Sequence, residues 1–157
     1  MTQFRNPSQS VPVSEYLRTK VLSASPEELR LMLLEGAVKY ARQGRAALER
    51  KDFEGSFNGL CACRNILVEL MTTIRPEPNP KLAQTVKALY TYIYTLLVEG
   101  GLEKDLTKLD TAIGLLDFER ETWVLLMQQL AAEKTPTLKL DTTPAAPAER
   151  VPLSLQG

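Results

Sequence analysis

The feature that most constrains the fold is an apolar repeat of seven residues between positions 106 and 130. The two repeating series are Leu106, Ile113, Arg120 and Met127, and Leu109, Leu116, Trp123 and Leu130. A stripe of this period runs along one side of an α-helix and requires a nearly aligned neighbouring helix to cover it. Because Arg120 interrupts the first series, we expect it to pair with a carboxylate or to extend to solvent. The repeat therefore predicts a helical bundle.

Capping signals mark two further helices. Ser25-Pro26-Glu27-Glu28 combines a capping box with proline at the first helical position, which predicts a helix over about 26–50. Asp52 is a plausible N-cap for a second helix that continues to about residue 74. One apolar face of this second helix is predicted to contain Phe53, Phe57, Leu60, Leu67 and Met71.

A stiff linker precedes the next helix. Arg75-Pro76-Glu77-Pro78-Asn79 holds two prolines that no helix can accommodate at that spacing, and Asn79-Pro80 is again an N-cap followed by proline. Gly100-Gly101 is predicted to end the helix, because glycine tolerates the left-handed cap geometry. The apolar stripe between these limits is Leu82, Val86, Leu89, Ile93, Leu96 and Leu97.

These patterns predict an all-α fold, in which residues 25–133 form an antiparallel four-helix bundle with short connections. Residues 1–24 are predicted to be a loose arm followed by a short amphipathic segment that must dock on something to be stable. Residues 134–157 contain four prolines and almost no periodicity, so we expect a disordered tail. The apolar residues of the amphipathic segment are Val13, Tyr16, Leu17 and Val21.

Several classes of function are disfavoured by the residue types present. The chain has no histidine, which removes the usual general base and the commonest zinc ligand. Cys61 and Cys63 lie two residues apart on a helix and face nearly opposite sides, so they cannot share a metal or a disulfide. The few glycines form no phosphate-binding loop. We therefore predict no catalytic residue, no metal and no cofactor.

Charge and hydropathy limit the partners. Nineteen basic residues balance nineteen acidic ones, whereas a nucleic-acid binder needs a concentrated positive surface. No run approaches the ~20 apolar residues of a membrane span, and no secretory signal is visible, so we expect neither membrane insertion nor export but a cytosolic protein. Binding of another polypeptide is the function that these properties favour.

The helix over 26–50 has more apolar surface than one packed face requires. One side contains Leu29, Met32, Leu33, Gly36, Tyr40 and Gly44, and nearly the opposite side contains Leu31, Leu34, Val38 and Ala41. Two interpretations follow: the helix is packed from two sides within its own domain, or the second stripe is a groove for a partner helix. The segment around Tyr16 is a candidate cover for such a groove.

Three tyrosines, Tyr90, Tyr92 and Tyr94, are spaced so that they lie on different faces of one helix and cannot all enter the core. Partly exposed tyrosines suit interfaces, although ordinary half-buried packing is the alternative. The predicted partner-binding residues are Tyr16, Leu31, Leu34, Val38, Ala41, Tyr92 and Tyr94.

From about Val13 to Trp123 the sequence resembles the flagellar secretion chaperones called FliS. The strongest block is Ala24-Ser25-Pro26-Glu27-Glu28-Leu29, followed by Leu31-Met32-Leu33-Leu34-Glu35-Gly36. Further matches are Tyr16 before Val21, Leu89-Tyr90-x-Tyr92, Asp105, and Arg120-x-x-Trp123. Their order and spacing make the resemblance specific.

The resemblance implies an antiparallel four-helix bundle whose N-terminal segment can cover a hydrophobic surface. It also implies a cytosolic chaperone that holds the C-terminal segment of flagellin, prevents premature polymerisation and aids delivery to the export gate, whose components are further candidate partners. A regulatory adaptor for other flagellar proteins is the alternative. The rival from another class is a small carboxylate-dependent or cofactor-binding enzyme, which a buried polar cavity with converging acids would indicate. The sequence leaves open a weak homodimer of the free protein.

Overall fold

The computed structural model describes residues 13–135. They form α1 (Val13–Ser23), α2 (Pro26–Glu49), α3 (Phe53–Thr72), α4 (Pro80–Glu103) and α5 (Leu106–Lys134). Within that range there is no strand, which confirms the predicted all-α class. Among these five helices, none is long and apolar enough to cross a bilayer. The predicted arm over 1–12 and nearly all of the predicted tail, 136–157, lie outside the described residues.

Three of the four long helices begin where their capping signals predict, and the fourth has an N-cap that the sequence analysis did not assign. Ser25 Oγ accepts a hydrogen bond from the backbone N–H of Glu28 at 3.2 Å, and a Glu28 carboxylate oxygen accepts one from the backbone N–H of Ser25 at 2.8 Å. Asp52, Asn79 and Asp105 cap α3, α4 and α5 by accepting backbone N–H groups of the first turn. Each cap satisfies donors that have no partner inside the helix.

The predicted end of α4 is wrong. The helix continues past Gly100-Gly101, and its cap is Lys104, which takes the left-handed conformation with φ 53°. A Cβ atom on Gly100 would lie 2.7 Å from Leu109 Cδ2, and one on Gly101 would lie 3.1 Å from Leu60 Cδ1. The two glycines are therefore places of close approach by side chains of α5 and α3, and not the helix cap.

The four long helices form an antiparallel ring in which α2 packs on α3 and α5, and α4 packs on the same two helices. Packing is densest between α2 and α3 and sparsest between α3 and α4. A Cβ on Gly59 would lie 2.7 Å from the backbone nitrogen of Gly44, so α2 and α3 approach closely because neither residue has a side chain. The largest core side chains are Tyr90, Leu34, Leu67, Leu70, Ile93, Leu97, Leu109 and Leu116.

The repeat on α5 packs as predicted in its first half. Leu109 and Leu116 are buried in the bundle core, whereas Trp123, Met127 and Leu130 in the second half of the repeat are only half-buried. Arg120 Nε donates to a carboxylate oxygen of Asp117 at 3.3 Å, so of the two expectations for this arginine the structure shows the pairing with a carboxylate.

The short amphipathic helix forms where it was predicted, but it does not dock. None of the residues of α1 is buried. Its apolar side chains are between 43% and 76% exposed; they are Val13, Tyr16, Leu17, Val21 and Leu22. In this structure α1 therefore does not cover the apolar surface of α2.

Candidate partner-binding groove

An apolar groove of about 280 Å³ lies between α3 and α4, where the ring of helices is most loosely packed. We call it the α3/α4 groove. Its lining residues are Leu48, Phe53, Ser56, Phe57, Leu60, Arg64, Leu97, Val98, Gly101, Leu102 and Lys104. None of the described residues of α1 contributes to this lining, and neither does any described acidic residue.

The wall on α3 follows from helical spacing. Phe53, Phe57, Leu60 and Arg64 are three or four residues apart and therefore lie on one side of the helix. Leu60 is buried in the floor, whereas both phenylalanines are more than half exposed at the rim. The predicted apolar face of this helix therefore has two environments, because Leu60 and Leu67 are buried whereas the two phenylalanines border an open groove.

The residues of α4 that line the groove include one without a side chain, Gly101. Val98 and Leu102 are one turn apart, and Leu102 is among the most exposed apolar residues. Gly101 lies between them in the lining and contributes no side chain, so Leu60 of α3 approaches the backbone of α4 closely at the base of the groove.

Two cations lie in the lining. Lys104 Nζ is 4.2 Å from the centroid of the Phe53 ring, and Arg64 Cζ is 5.9 Å from the centroid of the Tyr94 ring. Arg64 Nε is shielded from solvent and has no hydrogen-bond partner among residues 13–135. The groove is therefore apolar with a positive charge bias.

Three of the residues predicted to bind a partner are core residues. Leu34 and Ala41 are 0% exposed and Val38 is 4% exposed, so the expectation of an accessible stripe on α2 is wrong for these positions. Both sides of α2 are used inside the bundle, since Gly44 packs against α3 and Arg45 pairs with Asp110 of α5 at 2.8 Å. The burial of Leu34, Val38 and Ala41 agrees with the alternative interpretation, in which α2 is packed from two sides within its own domain.

Leu31 has a different environment from the rest of that stripe. It is half-buried and lines a second depression, of about 470 Å³, with Met32 of α2 and Met127 of α5, beside Lys20 and Ser23 at the end of α1. The depression is separated from the α3/α4 groove and shares no lining residue with it. Leu31 is thus partly accessible and Tyr16 is exposed, and neither lines the α3/α4 groove.

The three tyrosines occupy three environments, as their spacing predicted. Tyr90 is fully buried, and burial raises the pKa of its hydroxyl to about 12. That hydroxyl accepts a hydrogen bond from Arg30 at 3.1 Å and donates one to Glu119 at 3.2 Å. Tyr92 is exposed, and Tyr94 is half-buried under the guanidinium of the groove. Only Tyr94 of the predicted residues adjoins the α3/α4 groove.

Sequence reasoning missed the rim of this groove. Phe53 and Phe57 were assigned to the bundle, and Leu102 was not singled out. A detectable signal is the pair of phenylalanines one turn apart at the start of α3, followed on the same side by Arg64. A charged residue that continues an apolar stripe indicates that the stripe leaves the core.

Comparison with known proteins identifies the family. The family described as Flagellar protein FliS matches residues 9–130 of this chain. The chain belongs to the FliS family. Its relatives include the flagellar secretion chaperone FliS of Bacillus subtilis, which is 32% identical over 117 residues that cover 74% of this chain and 86% of that protein.

Two relatives of lower identity are also named flagellar secretion chaperones. The flagellar secretion chaperone FliS of Salmonella typhimurium is 29% identical over 68% of this chain and 80% of its own length. The flagellar secretion chaperone FliSB of Pseudomonas aeruginosa is 26% identical over 68% of this chain and 85% of its own length. FliS proteins are a chaperone family, which implies a protein partner in flagellar export.

Most of the residues that carry the resemblance to FliS hold the bundle together. Ser25 and Asp105 are N-caps, and Tyr90 joins α2 to α5 through its hydroxyl group. Trp123 Nε1 donates to the backbone carbonyl of Glu27 at 2.9 Å, which fastens α5 to the start of α2. These four residues therefore resemble FliS through their part in the architecture of the bundle, and none of them lines the α3/α4 groove.

Proposed function

We propose that this chaperone binds the C-terminal segment of flagellin in the cytosol and that the α3/α4 groove receives an apolar helix of that segment. The observation that carries the proposal is an open apolar groove, rimmed by Phe53, Phe57 and Leu102, in a member of a flagellar secretion chaperone family. A segment held in this way is withheld from polymerisation until it is delivered to the flagellar export apparatus.

The groove supplies part of the binding free energy. A disordered segment that folds on binding loses about 2–5 kcal/mol in ordering. At ~25 cal/mol per Å² of buried apolar surface, this cost is offset by burying on the order of 200 Å². The exposed rings of Phe53 and Phe57 and the exposed side chain of Leu102 are the nearest source of that area.

Tight binding needs contacts beyond the groove, since entropic losses on association exceed the ordering cost alone. Tyr94 extends the groove under Arg64, and Tyr92 lies exposed on the same helix. Leu31 and Tyr16 offer a second apolar area near the start of α2. We propose these four residues as secondary contacts for a segment that wraps around the bundle.

The direct test is calorimetric titration of the full chain with a C-terminal flagellin fragment. We expect saturable binding by the wild type and a loss of about hundredfold or more for Phe57→Asp, because the change removes an apolar ring and sets a hydrated carboxylate against the apolar side of the bound helix. Phe118→Asp on α5 is a matched control, since Phe118 is 65% exposed and Phe57 is 64% exposed. The control is expected to bind as the wild type does.

Two results would contradict the proposal in different ways. Wild-type affinity of the Phe57→Asp variant, with an unchanged helical circular dichroism spectrum, would remove the groove assignment. Failure of the wild type to bind the flagellin fragment, together with capture of another flagellar protein, would favour the regulatory adaptor.

A further inference from the structure

Arg64 gives the α3/α4 groove a specific chemical preference. We infer that Arg64 anchors a carboxylate, so that the helix that binds in the groove carries an Asp or Glu side chain within its apolar stripe. This inference rests on the proposed function, because it names a property of the segment that the groove receives. It concerns one side chain and one contact, and it can fail while the groove assignment stands.

Three other partly shielded arginines donate to acceptors within the bundle, whereas the Nε of Arg64 does not. Arg45 donates to Asp110 at 2.8 Å, Arg120 donates to Asp117 at 3.3 Å, and Arg30 donates to the hydroxyl of Tyr90 at 3.1 Å. Arg64 is equally half-buried, yet its Nε has no acceptor within residues 13–135. Shielded donors in folded proteins are almost always paired, so Arg64 is not held by an acceptor among the described residues as the other arginines are. Because Arg64 lines the groove, its guanidinium can turn toward an acceptor that a partner supplies.

A carboxylate is the acceptor that suits Arg64 best. The guanidinium lies beside the ring of Tyr94, with Cζ 5.9 Å from the ring centroid, and Arg64 lines the groove. A planar guanidinium can bind a carboxylate with two parallel N–H···O bonds. Lys104 adds positive charge to the same lining, and no described lining residue is acidic. A groove with this charge bias favours an anionic group over a neutral carbonyl or hydroxyl.

The lining also limits what kind of helix can bind. Most of the lining residues are apolar, and the polar side chains among them are those of Ser56, Arg64 and Lys104. A partner helix must therefore present apolar side chains to most of the groove and a carboxylate near Arg64. This is an amphipathic helix with one acidic residue inside its apolar face, which is the helix-in-groove mode of peptide recognition.

The test uses the full chain and the C-terminal flagellin fragment in calorimetric titrations. We expect Arg64→Gln to weaken binding about tenfold or more and Arg64→Lys to recover part of the loss, because lysine keeps the charge but not the planar fork. Arg75→Gln is the matched control, since Arg75 is exposed in the α3–α4 linker and loses the same charge. It should bind within about twofold of the wild type.

A purely structural role for Arg64 predicts a different result. Because Arg64 Nε donates to no acceptor among the described residues, we expect the free Arg64→Gln variant to have a Tm equal to or above that of the wild type. A clear fall in Tm that accompanies the weaker binding would overturn the anchor role. An unchanged Tm with weaker binding supports it.

The partner side completes the test. Each acidic residue of the flagellin fragment is changed in turn to its amide and titrated against wild type and Arg64→Gln. We expect one substitution to weaken binding to the wild type as much as Arg64→Gln does, and to add no further loss to that variant. If no substitution couples in this way, or if Arg64→Gln binds like the wild type while Phe57→Asp does not, the anchor is refuted and the groove stands. If wild type and fragment do not bind at all, the proposed function itself fails.

Discussion

The two sides of α3 differ in how completely they are covered. Toward α2, a Cβ on Gly59 would meet the backbone of Gly44 at 2.7 Å, and Leu67 is fully buried. Toward α4, the first two turns of α3 leave Phe53 and Phe57 exposed beside the groove. One helix therefore serves both as a sealed part of the core and as the wall of an open groove.

This difference shows how a small bundle can leave one apolar groove open while dense packing elsewhere stabilises the fold. Close backbone approach between α2 and α3 gives dense packing that excludes water and stabilises the fold. The looser contact between α3 and α4 leaves apolar surface that contributes little to folding and is available to a partner. The predictions below test whether these two sides of α3 are as different as the structure indicates.

The largest expected contrast is in cysteine reactivity. Cys63 is buried on the sealed side, where burial raises the pKa of its thiol from 9.0 to about 12, while Cys61 is half-buried on another face. At pH 8 a thiol with such a pKa is ionised in roughly one molecule in ten thousand. We expect iodoacetamide to modify Cys61 at least about a hundredfold faster, as followed by peptide mass spectrometry.

In denaturant both cysteines should react at similar rates, which controls for intrinsic reactivity. Equal rates in the native protein would show that the core side of α3 opens readily. The same raised pKa has a consequence for stability: because ionisation of Cys63 favours the unfolded chain, stability should fall as pH rises from about 9 toward 12.

The next contrast is between apolar truncations on the two sides. Leu67→Ala removes a fully buried side chain and should lower the free energy of unfolding by about 2–5 kcal/mol. Phe57→Ala removes a side chain that is mostly exposed, so the expected change is about 0.5 kcal/mol. Urea denaturation measures both. A loss at Phe57 as large as that at Leu67 would mean that the groove is part of the core.

The smallest contrast is between glycines. Gly59→Ala places a Cβ against backbone and should destabilise by about 1–3 kcal/mol, because the two helices must separate. At Gly101 the nearest atom is the end of the Leu60 side chain, which can shift, so stability should change by less than about 0.5 kcal/mol while flagellin binding weakens.

Gly114 is the reference for this pair, since a Cβ there would meet nothing within 4 Å. Gly114→Ala should stabilise the helix by about 0.5–1 kcal/mol through its effect on backbone entropy alone. If thermal unfolding shows equal losses for Gly59→Ala and Gly101→Ala, α3 is packed with the same density on both sides.

Local signals predicted the helices well because caps act within one turn. Ser25, Asp52 and Asn79 were identified from the residues around them, and each accepts the backbone N–H group that the motif requires. The end of α4 was predicted wrongly, since Gly100-Gly101 matched a cap motif locally but is used for contacts with Leu109 and Leu60. A prediction from adjacent residues fails where the role of a residue depends on a contact with a side chain that is distant in sequence.

The candidate site was predicted less well for the same reason. The sequence contains more apolar surface than one face of α2 requires, and that surplus was real, but α3 and α5 cover both sides of that helix. Leu34, Val38 and Ala41 therefore entered the core, and the uncovered surface appeared at Phe53 and Phe57 instead. The sequence predicted that the three tyrosines could not all enter the core but not which one would be buried; Tyr90 is buried, and Tyr94 lies beside the groove.

The sequence by itself determined the helical class, the starts of three of the four long helices and the likeness to FliS. These properties follow from hydrogen bonds and periodicities that act over a few residues or from motifs in linear order. Only the tertiary structure decided which apolar stripe stayed open, how Arg120 is satisfied, and which shielded arginine nitrogen has no acceptor among residues 13–135. Both depend on how closely helices approach each other, and that distance is set by side chains far apart in the chain, such as Gly44 with Gly59 and Leu60 with Gly101.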